Sequence, residues 1–154
     1  MGARIAEHQG TLERFAGDGF MVFFNDPLDQ PDHVARAARM ALAMRDDVER
    51  LRVGWLRKGY AIHVGMGIHS GYATCGFIGY EGRRDYAVIG TVTNLAARLS
   101  AAAGPGEILV SARSHGELDG FVAEPIGELT LKGFHQPQPV LRLLGASDAR
   151  RTGT

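Results

Sequence analysis

Residues 84–111 read RDYAVIGTVTNLAARLSAAAGPGEILVS. Residues 85–89 are a short apolar run that stops at Gly90, the pattern of a strand followed by a break. From 91 to 103, Val92, Leu95, Ala96 and Leu99 recur at helical spacing and form one inner stripe. Gly104-Pro105-Gly106 ends that helix, and residues 107–111 return to a strand. Asn94 and Arg98 are four apart and fall roughly opposite the apolar stripe, so they project together from the outer face.

Working outward, the same alternation of elements continues. Residues 11–16 and 20–24 are two strands around Gly17-Asp18-Gly19, a turn whose residues tolerate positive φ. Residues 1–9 form the last turns of a helix with Ile5 as its apolar contact. Residues 32–52 form the longest helix, with Val34, Ala37, Ala41, Met44, Val48 and Leu51 on one stripe and Asp32 as its cap. Residues 60–69 alternate, with Ile62, Val64, Met66 and Ile68 on one side and His63, Gly65, Gly67 and His69 on the other. Residues 72–78 are a further strand, 79–85 a charged loop or arm, and 112–118 a short helix. The stretches 126–132 and 139–144 are strands joined by a turn, and the polar tail 145–154 frays. This order predicts an α+β sandwich with helices on one face of a largely antiparallel sheet.

Composition bounds the function. A chain of 154 residues fits one domain. Seventeen Lys and Arg balance seventeen Asp and Glu, so there is no long-range pull toward nucleic acid or anionic lipid. One cysteine, Cys75, excludes an internal disulfide and suits a cytoplasmic location. It reads as a small buried residue. No apolar run reaches membrane-spanning length. There is no P-loop, nucleophile elbow or HExxH.

The chemistry-bearing candidates each have a bland alternative. Asp18 is a turn former, or a carboxylate placed by flanking glycines to approach Mg²⁺. Asn94 and Arg98 are a solvated polar face, or a site in which an amide orients a sugar and a guanidinium neutralises charge on phosphorus. Lys132 is an ordinary strand-end lysine, or a point charge on phosphate. The six histidines are satisfied or exposed rather than ligands.

The order of these segments resembles the catalytic domain of class III adenylate/guanylate cyclases. Residues 10–24, GTLERFAGDGFMVFF, are similar to that family's "GDxxMxxF" hairpin. Residues 65–71, GMGIHSG, are similar to "GIGIHxG", and residues 84–99 to "RxDYxxIGxxVNxAxRL". Residues 107–111 and 131–133 match the closing "xILVS" and "LKG". The resemblance covers residues 5–144. It implies a ferredoxin-like antiparallel sheet with helices on one face, incomplete at the N-terminus, over a cyclase homology domain at 1–144. It further implies conversion of ATP or GTP into a cyclic nucleotide and pyrophosphate, by attack of the ribose 3′-hydroxyl on the α-phosphorus. Asp18 matches a metal aspartate for Mg²⁺ or Mn²⁺, Asn94 the ribose-orienting asparagine and Arg98 the arginine that stabilises the pentavalent phosphorus. Lys132 matches a triphosphate-binding lysine, and Arg14 and Ala87 the purine-reading positions. The family's sites form between two subunits of a head-to-tail dimer.

Three departures shape the expected activity. The opening "FxDIxGFT" strand, with the other metal aspartate, has no counterpart here, so unpaired strand edges and an incomplete two-ion site are expected. Arg14 stands where Lys or Glu is usual; it can donate to an adenine acceptor, which favours ATP over GTP. Ala87 offers no side-chain hydrogen bond and weakens base discrimination. The expectation is an adenylate-type cyclase homology domain, weak or inactive alone, working as a homodimer or as a heterodimer with an intact cyclase. The alternative is a non-catalytic or degenerate partner that complements or regulates such an enzyme.

Overall fold

The computed structural model describes residues 1–147; within them, the side chains of Arg14 and Ala16 lie outside the description. The element order is α1 (Gly2–Glu7), β1 (Thr11–Ala16), β2 (Gly19–Phe23), α2 (His33–Arg57), β3 (Met66–Ile68), β4 (Thr74–Tyr80), β5 (Arg83–Ile89), α3 (Thr91–Ala102), β6 (Ile108–Ser111), α4 (Ala112–His115), β7 (Phe121–Leu129) and β8 (Gln138–Ala146). These form a four-stranded sheet in the order β3-β6-β8-β7 and two hairpin ladders, β1-β2 and β4-β5. Every pairing is antiparallel except β3 with β6, which is parallel. The α+β class predicted from the sequence is the one observed. Among the described residues no helix is long and apolar enough to cross a membrane.

The core lies on both sides of the four-stranded sheet. On β6, Ile108 and Val110 pack with Val34, Ala38 and Ala41 of α2, whereas Leu109 packs with Leu95 and Leu99 of α3. Successive strand residues point to opposite faces, so α2 and α3 take opposite faces of β6 rather than sharing one. The contact between β3 and α3 is closer than side chains allow. A Cβ on Gly67 would sit 2.4 Å from the Ser100 amide nitrogen and 2.5 Å from the Ala96 carbonyl oxygen. Ser100 Oγ also donates to the Gly65 carbonyl oxygen at 3.2 Å.

The third core group joins the first hairpin to this sheet. Ile5, Met40 and Met44 are buried against Phe20, Val22 and Phe24, and against Met66 of β3. Among the described residues β2 pairs only with β1, and β3 only with β6. These are the open edges that the resemblance leads one to expect, and α2 spans both. Arg4 of α1 bonds both carboxylate oxygens of Asp47 on α2, at 2.7 and 2.9 Å. That bond, more than any other contact, holds the Asp47 carboxyl well below the usual carboxylate range.

Several elements differ from their sequence reading for local reasons. α2 runs to Arg57, not 52, because its stop is Gly59 at φ +85°, with Gly59 N–H donating to the Leu56 carbonyl and Tyr60 N–H to that of Trp55. Leu51, placed on the buried stripe, is 54% exposed. Asp32 stands at the N-cap of α2, but its carboxylate takes Arg36 and Arg39 instead of a backbone N–H. Only Met66–Ile68 of the 60–69 stretch joins a ladder, and Ile62 is exposed. The 79–85 arm is not a loop: β4 and β5 pair through Tyr80 and Arg83 about a two-residue turn. β7 starts at Phe121 and ends at Leu129, so Leu131 and Lys132 lie in the connection. β8 includes Gly145 and Ala146, and residues 148–154 lie outside the described residues.

The two hairpins are tied together by an aromatic contact. Phe23 of β2 stacks on Tyr86 of β5 with ring centroids 6.0 Å apart, and Tyr86 meets Phe77 edge-on at 5.1 Å. Two outcomes test this packing. Gly67→Ala should cost about 3 kcal/mol in urea unfolding, since the added methyl meets α3 backbone that cannot yield; an unchanged midpoint would contradict the contact. A double-mutant cycle on Phe23→Leu and Tyr86→Leu should return a coupling of about 1 kcal/mol, whereas simple additivity would show that the rings do not hold the hairpins together.

Candidate functional site

α3 is anchored along Leu95 and Leu99, at 5% and 0% exposure, which turns Asn94 and Arg98 to the outside. Both are exposed, one helical turn apart, and neither side chain makes a hydrogen bond or ion pair among the described residues. The same core group contains Leu131, 6% exposed, so the connection after β7 is anchored in the core that holds α3, and the next residue, Lys132, is exposed. The structure thus brings an amide, a guanidinium and an ammonium onto one body. A surface carrying unpaired cations beside an amide suits a phosphorylated ligand.

Asp18 is placed differently. The turn of the first hairpin is the two-residue Gly17–Asp18, with Ala16 paired to Gly19, so Gly19 belongs to the strand. Gly17 has φ +60°, as a hairpin turn with glycine at its first central position requires. The Asp18 carboxylate is exposed at the tip. Its hairpin shares no core group with α3. Among the described residues no three His, Cys, Asp or Glu side chains are grouped to hold a metal. A lone exposed carboxylate does not fit a two-ion site.

Ala87 lies on β5 opposite Gly76 and lines a cleft of about 440 Å³ with Glu13, Ile78, Arg83, Asp85 and Tyr86. The cleft runs between β1 and the β4–β5 hairpin. Arg14 pairs with Met21 just past a bulge at Leu12, and its side chain lies outside the described residues. Cys75 is half-buried rather than buried, and partial burial, followed by Asp26, pushes its thiol up, which leaves it poorly nucleophilic.

The hairpins also carry exposed apolar side chains. Phe15 is 73% exposed, and Phe77 and Tyr80 are 72% exposed each. Tyr72 and Ile89 are exposed as well. Large apolar side chains left in water suit an interaction surface.

Comparison with known proteins bears on the fold and the family. An adenylate cyclase of Anabaena cylindrica is 35% identical over 101 residues, covering 64% of this chain and 20% of its own length. A Mycobacterium tuberculosis protein of uncharacterized function is 34% identical over 140 residues, 86% of this chain and 24% of its own. The chain spans a quarter or less of the length of these relatives. The crystal structure of the adenylyl cyclase CyaB from P. aeruginosa superposes at a TM-score of 0.85 with 32% identity, covering 99% of this chain and 79% of that one. That of the guanylyl cyclase Cya2 does so at 0.85 with 26% identity, covering 97% and 77%. Backbone shape is therefore common to enzymes named for either purine. The Adenylate and Guanylate cyclase catalytic domain profile matches residues 5–143, a span that includes both hairpins, α3 and the Lys132 connection, and the chain belongs to that family.

Proposed function

We propose that this chain is the Asn94/Arg98 half of an adenylate-type cyclase site, acting on ATP bound between it and a second cyclase subunit. The observation that carries the reading is the exposed Asn94–Arg98 pair, without side-chain partners among the described residues, on a helix anchored in the core group that also holds Leu131, next to Lys132. The Asn94 carboxamide can orient the ribose so that its 3′-hydroxyl faces the α-phosphorus. Attack forms the new O–P bond as the bond to pyrophosphate breaks, and the hydroxyl proton leaves to solvent. Arg98 offsets the negative charge that builds on the phosphorus oxygens, and Lys132 holds the triphosphate tail. Both are worth most in a desolvated interface.

The purine reading supports ATP. Arg14 supplies only donors, which suit an adenine acceptor, and Ala87 adds no hydrogen bond of its own. The exposed Phe15, Phe77 and Tyr80 support a second subunit, either another copy or an intact relative. Asp18 alone does not hold the two metal ions, Mg²⁺ or Mn²⁺, that the family's reaction uses, so a productive pair takes its metal-holding carboxylates from an intact relative rather than from another copy. Isolated, the chain is weakly active or inactive. The second reading, a partner that regulates without contributing to turnover, shares the interface but not the role of Arg98.

The test is complementation. Mixed with a metal-competent cyclase lacking its own transition-state arginine, the chain should restore cyclic AMP formation from ATP and give less product from GTP. Arg98→Ala should lower the restored rate by about 100-fold or more without loss of folding, in line with removal of one preorganised charge donor. Full restoration by Arg98→Ala would favour the regulatory reading. No restoration by the unaltered chain, at high protein concentration, would defeat the proposal.

A further inference from the structure

We propose that Glu117 sets the tautomer of His69 through a one-directional chain of three serine hydroxyls, making His69 a positioning residue for α3. Five side chains from separate parts of the sequence form the chain. His69 Nδ1 lies 2.7 Å from Ser111 Oγ, Ser111 Oγ 2.9 Å from Ser114 Oγ, Ser114 Oγ 3.1 Å from Ser70 Oγ, and Ser70 Oγ 3.0 Å from Glu117 Oε1. Ser111 and Ser114 are buried, at 5% and 0% exposure. The backbone N–H of Ser70 also donates to Ser114 Oγ at 2.7 Å, and that of Ser114 to Ser111 Oγ at 3.3 Å.

Proton counting gives the chain its direction. A carboxylate only accepts, and each hydroxyl has one proton to give. Ser70 gives its proton to Glu117, so Ser114 must donate to Ser70. Ser111 must then donate to Ser114, and the only donor left for Ser111 Oγ on that side is His69 Nδ1–H. His69 is thereby held as the Nδ1–H tautomer, with Nε2 as a bare acceptor. Burial, with Arg113 behind it, pushes the imidazole below its usual range, which keeps the ring neutral. The charged or titratable groups around the chain are Arg113, next to α4's Ser114, Glu117 itself, and His33 of α2, whose Nε2 is 3.7 Å from Glu117 Oε2.

The Nε2 edge of the ring borders Gly71, which in turn borders Val92 at the start of α3. Gly67 of β3 and Gly65 just before it face α3, and His69, just after the strand, follows in the same alternation. A Cβ on Gly71 would lie 3.4 Å from Val92 Cγ2 and 3.9 Å from His69 Nε2. The next residues press on the same place: a Cβ on Gly90 would lie 3.3 Å from the Tyr72 carbonyl oxygen. The 69–73 connection therefore seats the first turn of the helix that carries Asn94 and Arg98. A hydroxyl chain has two polarities, which is the kind of discrete two-state element that can carry coupling. The carboxylate selects one of them.

The relay does not rest on the cyclase reading; only its bearing on turnover does. The experiment is side-chain and backbone NMR on the ¹⁵N-labelled chain at neutral pH, with His69→Asn used to assign the His69 ring. The unaltered chain should show the Nδ1–H pattern. Glu117→Lys, a change at an exposed position to a group that only donates, gives its proton to Ser70 Oγ and makes the chain run backward. The ring signals should then shift toward the Nε2–H pattern, with movement of the Val92–Asn94 amides. Glu128→Gln, also an exposed carboxylate, should move neither. His69→Asn, whose carboxamide reaches the Nδ1 position, should keep the α3 amides in place, and His69→Leu should displace them. An Nε2–H ring in the unaltered chain, or a Glu117→Lys variant with ring and α3 amides unchanged, would overturn the proposal. So would equal displacement of the α3 amides by Asn and Leu.

Discussion

The backbone of β3 lies directly against the backbone of α3, and the rest of the molecule is arranged around that contact. It exists because Gly65 and Gly67 present no side chain where Ala96, Leu99, Ser100 and Ala103 approach. Close packing of this kind leaves a helix little freedom to roll. With Leu95 and Leu99 directed at Leu109 and Leu131, the opposite side of α3 can only be polar and outward. The orientation of Asn94 and Arg98 is thus a consequence of two missing side chains on a neighbouring strand.

A second level of organisation links that rigid body to the hairpins. α2 carries Met40 and Met44 across from the four-stranded sheet to the first hairpin, and Phe23 stacks on Tyr86 to bring the second hairpin alongside. The hairpins carry exposed aromatic side chains and the Ala87 cleft. The acidic hairpin tip and the cationic helix face with its amide thus belong to different core groups of the same chain.

Much of this was legible in the residues. The Val92-Leu95-Leu99 period located α3 and the outward pair, because helical spacing is a purely local property. The Gly17-Asp18 hairpin was likewise visible, since positive φ is written in residue type. The end of α2 was missed because its signal is the single Gly59, seven residues past the last residue of the assigned helix. The 79–85 segment reads as a loop because Gly79, Glu81 and Gly82 look like breakers, yet pairing with β4 overrides local preference. The serine relay had no sequence signal at all: His69 and Ser70 meet Ser111, Ser114 and Glu117 more than forty positions away.

The sequence by itself determined most of the elements and their order, the family and the identity of the polar residues that could act on a phosphorylated ligand. Those follow from periodicity and residue chemistry, which need no partner. Only the tertiary structure decided that α2 and α3 lie on opposite faces of β6, that Leu131, next to Lys132, shares a core group with α3 while the Asp18 hairpin does not, and that a hydroxyl chain reaches from Glu117 to His69. The reason is that burial and pairing depend on contacts between distant segments, and alternation along β6 assigns a face to each residue without saying which helix will cover it.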